Sequence, residues 1–397
     1  MLLLVAAVVA VALNQRPAVV ALAPVLDLLR ADTGLSSAVA GLLTTLPVLC
    51  FGAFAPVAPK LARRIGLETA VAASLLLLTL GMAARLLSPL ALLFAGTVVL
   101  GAAIAIVNVL LPAYIKREFF RPGPVMGLYT ASINIGAAAA AAATVPLATA
   151  LDVDWRVGLG MWVVLTVAAL VFWLPTLRAG ASHRRVLPEV LPESSWSLLR
   201  QPLARQITAF FGFQSVQFYT YSAWLPAILA DAGIPLGEGG LLLGLSNVVG
   251  AVPALVLPAI AGAMRTQRPL LVAVMTLFTV GLGGLLVAPA SGAVVWVCAF
   301  GVAQGGGFAL ALTLFVLRSD TSTTAARLGG VAQCLGYTMA AAGPLAVGAV
   351  HDLTGDWTWP VGLLLILLAP MTWVGWGATD DAVVTSSEKP SRTALPA

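Results

Sequence analysis

Apolar runs of helix length alternate with short polar connections along almost the whole chain, from residue 2 to residue 377. A helix rises 1.5 Å per residue, so a run of 18 or more apolar residues is long enough to cross ~30 Å of hydrocarbon. Twelve such runs can be marked: 2–29, 36–58, 67–87, 90–114, 125–150 and 155–177, then 204–230, 238–263, 269–289, 292–317, 327–350 and 358–377. Helices satisfy all their backbone polar groups within one segment, so the pattern predicts an all-α membrane protein built of helical hairpins.

The longest polar stretch, Arg178 to Pro202, is rich in Pro, Ser and Arg and follows the sixth run. It reads as a linker (178–202) between two six-helix bundles, 1–177 and 203–377, with a tail at 378–397. A weak internal repeat at an offset near 202 residues supports the division. Lys116-Arg117-Glu118 falls opposite Arg318-Ser319-Asp320, and the loop of Arg63 and Arg64 falls opposite that of Arg265 and Arg268. Two related, pseudo-symmetric halves point to a transporter that rocks about a midplane site.

Loop charge orients the bundle, because cytoplasmic loops collect Lys and Arg. Seventeen of the 21 basic residues fall in the loops after even-numbered spans, the linker and the tail. The opposite loops hold only Arg30, Arg85 and Arg156, beside several acids. Both termini are therefore expected in the cytoplasm, in a multi-pass protein of the cytoplasmic (bacterial inner) membrane. Ala10-Val11-Ala12 has cleavage-like spacing, but no basic region precedes it, so the first run is expected to be a retained helix. The abrupt start at Met1-Leu2-Leu3 would suit a chain that begins a little earlier.

Composition agrees with this picture and narrows the chemistry. Sixty per cent apolar and 9% charged residues exclude a soluble domain, and the net charge of +5 is spread over loops rather than gathered for nucleic acid. Cys50, Cys298 and Cys334 lie in apolar runs without metal-ligand spacing, and neither His183 nor His351 lies in a span. No metal, no cofactor and no enzymatic constellation is expected, and the protein is expected to be a monomer in the bilayer.

Arg16, in Asn14-Gln15-Arg16-Pro17, is the one charge that falls near the middle of a span. It lies about 21 Å from the inner helix end at 1.5 Å per residue. A charge at that depth costs roughly 2.5–3.5 kcal/mol, and no acid in another span is placed to offset it. Pro17 should kink the helix and leave a carbonyl near Leu13 free toward a cavity. A guanidinium offers a planar fork of donors suited to a carboxylate, a nitro group or a small linear anion. The plainer alternative is that Arg16 ties helices together.

Other candidate cargo ligands are polar groups in the remaining spans. Gln214, Gln217 and Tyr221 lie at i, i+3 and i+7 on one face of the seventh span, and Gln333 and Tyr337 stack four apart in the eleventh. Asn108, Asn134 and Gln304 are isolated amides, and such groups often only tie helices, at about 0.6 kcal/mol per bond. Asn14 completes the set. Gly305-Gly306-Gly307 and the Ala137–Ala143 run suggest close helix approach. No titratable carboxylate or His lies in the central half of a span. The nearest acids, Asp27 and Asp320, sit at span ends, so a coupling proton would have to use one of them or ride on the solute.

Leu61-Ala62-Arg63-Arg64-Ile65-Gly66 resembles the signature loop of the major facilitator superfamily. Arg63 stands where that signature has Asp, and Leu67 and Glu68 replace two basic residues, so the gating salt bridge attributed to the Asp does not carry over. Within the superfamily the chain is similar to the cyanate and 2-nitroimidazole transporter branch. The likeness runs through Asn14-x-Arg16-Pro17, Gly41-Leu42-Leu43-Thr44-Thr45-Leu46-Pro47-Val48 and Phe51-Gly52-Ala53. It continues at Gln214-Ser215, Phe218-Tyr219, Trp224-Leu225-Pro226, Gln304-Gly305-Gly306, Arg318-Ser319, Gln333, Gly336-Tyr337 and Gly343-Pro344.

The resemblance implies a secondary active transporter working by alternating access on a small anion or nitro-heterocycle. Arg63, Arg64, Gly66, Arg318 and Asp320 are then the loop residues expected to gate it. Two other readings are efflux of neutral or acidic drug-like compounds and a non-transporting receptor. Against the receptor, which is expected to carry a sizeable output domain, the linker is short and the tail after the last span is about twenty residues.

Overall fold

The computed structural model describes residues 2–22, 25, 29, 32–35, 37–87, 89–151, 154–183 and 194–385. Helices make up the fold, and the described residues contain one isolated bridge, between Ser319 and Val384. Asp27, the linker residues 184–193 and the tail 386–397 lie outside the described residues.

The first run is not one helix. It forms α1 (Leu2–Leu13), a turn at 14–16 and α2 (Pro17–Val20). Pro17 has no N–H to return to Leu13 O, and the chain instead closes short turns, Asn14 N to Val11 O and Gln15 N to Ala12 O, both at 3.2 Å. The second run is α3 (Ser37–Phe54) followed by α4 (Val57–Ile65), with a 57° bend at residues 55–56. Then come α5 (Leu67–Ala84), α6 (Leu90–Glu118), α7 (Pro122–Ala150), the short α8 (Trp155–Gly160) and α9 (Val163–His183).

After the linker, Ser195–Arg200 forms a 3₁₀ turn, and α10 (Pro202–Asp231) and α11 (Leu236–Ala263) follow. The C-terminal group ends with α12 (Arg268–Val287), α13 (Ala293–Leu317), α14 (Ser322–Thr354) and α15 (Thr358–Ala378). Local chemistry marks several boundaries. Pro202 opens α10, the Thr321 hydroxyl caps Thr324 N at 3.1 Å, and Gly355 closes α14 in the left-handed region at φ 74°.

By length and apolarity, eight described helical segments can cross a membrane, or nine if the bent α3–α4 pair is counted as one span. The 30-residue α10 and the 33-residue α14 are long enough but fall outside this set, being the more polar. Large apolar side chains such as Val171, Leu241, Val252, Ile366 and Trp373 stay exposed on the helix exteriors, as lipid-facing positions require.

The N-terminal and C-terminal groups meet mainly through α7 against α11 and through α3 and α6 against α14. Glycine permits the closest approach. A Cβ on Gly127 would stand 2.0 Å from Leu255 O, and one on Gly123 would stand 2.6 Å from Pro258 O. Within the C-terminal group, a Cβ on Gly305 would stand 1.9 Å from Gly250 O, so α11 and α13 also touch backbone to backbone.

Candidate functional site

The α1–α2 break carries three consecutive polar side chains, and each has a different environment. The Asn14 amide is buried and donates to Ala10 O at 2.7 Å and to Leu165 O of α9 at 3.0 Å, so it ties α1 to α9. Gln15 is buried too, and its Oε1 accepts from the Tyr129 hydroxyl of α7 at 3.4 Å while Nε2 has no partner. Arg16 is half-buried and reaches across to the C-terminal group. The Leu13 carbonyl freed by Pro17 is covered by Gly136, where a Cβ would stand 2.3 Å from it. That carbonyl packs against α7 and does not face an opening between the groups.

The Arg16 guanidinium lies over two aromatic rings, Phe218 of α10 at 5.7 Å and Phe308 of α13 at 5.8 Å. The phenols of Tyr219, Tyr337 and Tyr129 lie around it. No carboxylate of a described residue pairs with it. Tyr337 in turn packs against Phe51 and Phe211, each at 5.3 Å, and against Tyr219 at 6.2 Å. The result is a cation in an aromatic enclosure drawn from both groups. The Tyr219 hydroxyl inside this enclosure is buried beside the guanidinium.

Magnitudes show what is missing. Two cation–π contacts at a partly exposed site return about 1–2 kcal/mol together. Insertion of the charge costs about 2.5–3.5 kcal/mol. The rings therefore offset only part of the cost.

The other candidates divide into those near the enclosure and those bonded elsewhere. Tyr337 is part of it. Gln333, one turn away on α14, donates Nε2 to Asn108 O of α6 at 3.2 Å, and its Oε1 is buried without a partner. Gln304 stands one turn from Phe308 with its Oε1 also unpartnered. Gln214 is buried, with its Oε1 3.5 Å from the Ser215 hydroxyl. Gln217 donates to Leu364 O of α15 at 2.8 Å, and Tyr221 stacks on Phe300 at 3.6 Å with its hydroxyl 3.4 Å from Ser246. These last two are held within the C-terminal group. Asn108 and Asn134 have half-buried side chains.

The loop candidates gather at one end of the molecule, the basic end. Arg63 and Arg64 are exposed on the last turn of α4, and Gly66 follows at φ 86°. Neither Arg forms an ion pair with a described residue. Arg117 at the end of α6 instead pairs with Glu68 of α5 and with Glu118 at 2.7 Å. Arg318, at the end of α13, donates to Gln267 Oε1 at 2.5 Å and Arg265 O at 2.8 Å, and pairs with Asp381 at 3.3 Å. Asp320 accepts from Thr321 N at 2.6 Å. At the other end, Arg85 is buried rather than a loop charge. It donates to Ala18 O at 2.6 Å, where α2 runs out of N–H partners.

Residues that the periodicity alone did not single out include Gln15, Tyr129, Tyr219 and Phe308. The cluster of four aromatics from Phe210 to Phe218 in a polar helix points toward the adjacent Tyr219, and nothing comparable marks Gln15, Tyr129 or Phe308.

Residues 4–344 match the family described as Major Facilitator Superfamily. The 2-nitroimidazole transporter of Escherichia coli (strain K12) is 38% identical, with 93% of this chain and 94% of that protein covered. The cyanate transport protein CynX of the same organism is 31% identical, covering 92% of this chain and 98% of the relative. Among solved structures, the proton:xylose symporter XylE superimposes with a TM-score of 0.71 at 12% identity, over 96% of each chain.

Proposed function

The chain belongs to the major facilitator superfamily, in its cyanate and 2-nitroimidazole transporter branch, and we propose that it carries a small anionic or strongly polar solute by alternating access. In this reading the cargo is the counter-charge of Arg16. One observation carries it: a half-buried guanidinium between the two helix groups, ringed by aromatics and unpaired by any described acid.

Twelve spans in two six-helix halves complete the account, with the first span formed by α1 and α2 and the sixth by α8 and α9. The pseudo-symmetry has support in equivalent contacts. Arg117 ends the fourth span and pairs with the start of the third, and Arg318 ends the tenth and bonds to Gln267 just before the ninth. With the basic end in the cytoplasm, the halves are closed on the inside and the solute would enter from outside. Lys116 contributes to that closure by donating to Val316 O at 2.6 Å, at the negative end of the α13 dipole.

The relatives' cargoes, cyanate and a nitroimidazole, suggest the size range: small, planar and able to present an oxygen or nitrogen edge to a guanidinium. Tyr219, Tyr337, Gln304 and Gln333 are the side chains placed to orient it. Asn14, Gln217 and Tyr221 support the frame. Uptake into proteoliposomes tests the assignment. Arg16→Ala is expected to abolish uptake of cyanate or 2-nitroimidazole while the melting temperature stays near wild type, and unchanged uptake would remove Arg16 from the site.

A further inference from the structure

Two side-chain hydrogen bonds between the helix groups share an unusual acceptor. Thr130 of α7 donates its hydroxyl to Ala254 O of α11 at 2.5 Å, and Gln333 of α14 donates to Asn108 O of α6 at 3.2 Å. In an α-helix each carbonyl normally accepts from the N–H four residues on. Four residues after Ala254 stands Pro258, and four after Asn108 stands Pro112, both inside their helices. Neither proline has an N–H, so both carbonyls are left without their helical partner. Each is then taken by a side chain of the opposite group.

We propose that Thr130 and Gln333 are positioning residues that hold the basic end closed, each by engaging a carbonyl released by a proline in the facing half. Lys116 also donates across the seam to Val316 O at 2.6 Å, from a flexible stem that fixes little register, and the rest is backbone contact through Gly123, Gly127 and Gly330, which excludes water but has little direction. The two hydrogen bonds supply the register.

Thr130 also explains how such a latch can open cheaply. Its hydroxyl lies 2.9 Å from Met126 O and 3.2 Å from Gly127 O in its own helix. A hydroxyl has one proton to donate, so when the halves part it can turn from Ala254 O to Met126 O without being left unsatisfied. Gln333 has no such fallback in α14. Its opening exposes both an amide and a carbonyl, which favours water entry beside Tyr337. The Thr130 contact is the reversible catch, and the Gln333 contact joins the catch to the cargo enclosure. That joining rests on the cargo reading of Arg16, whereas the latch itself does not.

Hydrogen–deuterium exchange of the full chain in detergent tests the latch without any ligand. Thr130→Val keeps shape and removes the donor, and Gln333→Leu removes the other. Each is expected to speed exchange about fivefold, the loss of one hydrogen bond, in residues 115–130, 254–268 and 316–335 alone. Thr130→Ser should restore wild-type exchange. Pro258→Ala returns an N–H to Ala254 O, so it should also loosen this end, and its effect should vanish in a Thr130→Val background. Unchanged exchange in both single variants overturns the proposal. So does acceleration spread evenly over all helices, which would mean general destabilisation, and so do additive effects of Pro258→Ala and Thr130→Val. A Thr130→Val protein that does not fold leaves Gln333→Leu and its local exchange to decide. Arg16→Ala should leave the exchange pattern intact, which separates failure of the latch from failure of the cargo assignment.

Discussion

At the scale of single residues, the shape of the guanidinium matters as much as its charge. Arg16→Lys would keep the charge but lose the planar fork that lies over Phe218 and Phe308. Apparent affinity for a planar anion is expected to fall at least tenfold in that variant, measured by uptake at varied solute concentration. Equal affinity would mean simple charge attraction. Tyr219 gives a second test. Its buried hydroxyl faces the Arg16 guanidinium, so Tyr219→Phe should weaken solute binding while the melting temperature changes little. A lower melting temperature with unaltered binding would assign the hydroxyl to structure.

Asp32 shows what a surface charge contributes. Hydrogen bonds from Arg156 at 2.8 Å and from the Trp155 indole hold its carboxyl below the ordinary range. A lowered folded value means that the pairing is complete above the ordinary carboxylate range and is lost only as pH falls through the lowered value. Melting temperatures of wild type and Asp32→Asn, recorded from pH 5 to 8, should therefore differ by a constant amount. A gap that opens or closes within that window would contradict the pairing.

At the scale of elements, glycine and proline decide how closely helices meet and where they release carbonyls. Gly127→Ala would place a methyl carbon against Leu255 O, a backbone atom that cannot turn aside. Overpacking of this kind costs roughly 1–3 kcal/mol, so a fall in melting temperature and a looser α7–α11 seam are expected. Gly244, inside α11, whose added Cβ would meet nothing within 4 Å, provides the control: Gly244→Ala should be neutral or slightly stabilising, as Ala favours the helix over Gly.

The helices themselves were largely legible, because an unbroken apolar run of twenty residues has few alternatives. The rotation of α10 was not. Successive residues in a helix turn by about 100°, so Phe218 and Tyr219, next to Gln217, point quite differently from it. Packing against α14 and α15 turns Gln217 to Leu364 O and brings the aromatic side to Arg16. The stripe of Gln214, Gln217 and Tyr221 carries no information about which neighbour it meets. Likewise the break after Leu13 was visible in Pro17, but the glycine that covers the freed carbonyl comes from α7, more than a hundred residues away.

At the scale of the whole molecule, the enclosure is built from both groups and closure is concentrated at the basic end. A solute that bridges Arg16 on one side and the α10, α13 and α14 side chains on the other would pull the halves together. Binding that favours the joined state more than the open one is what drives alternation. Arg16 cannot itself titrate, since a guanidinium keeps its proton at physiological pH. A coupling proton would then have to use Asp27 or Asp320 at the span ends or ride on the solute.

The central claim is that the cargo replaces the counter-charge that Arg16 lacks. The most direct measurement is a ligand–protein double cycle by thermal shift or calorimetry, pairing wild type and Arg16→Met with 4-hydroxybenzoate and its neutral amide, 4-hydroxybenzamide, alongside cyanate and 2-nitroimidazole. The account predicts that anions bind wild type more tightly than the neutral isostere, by at least about tenfold, or ~1.4 kcal/mol, and that this preference disappears in Arg16→Met. An anion preference that survives intact in Arg16→Met would contradict it.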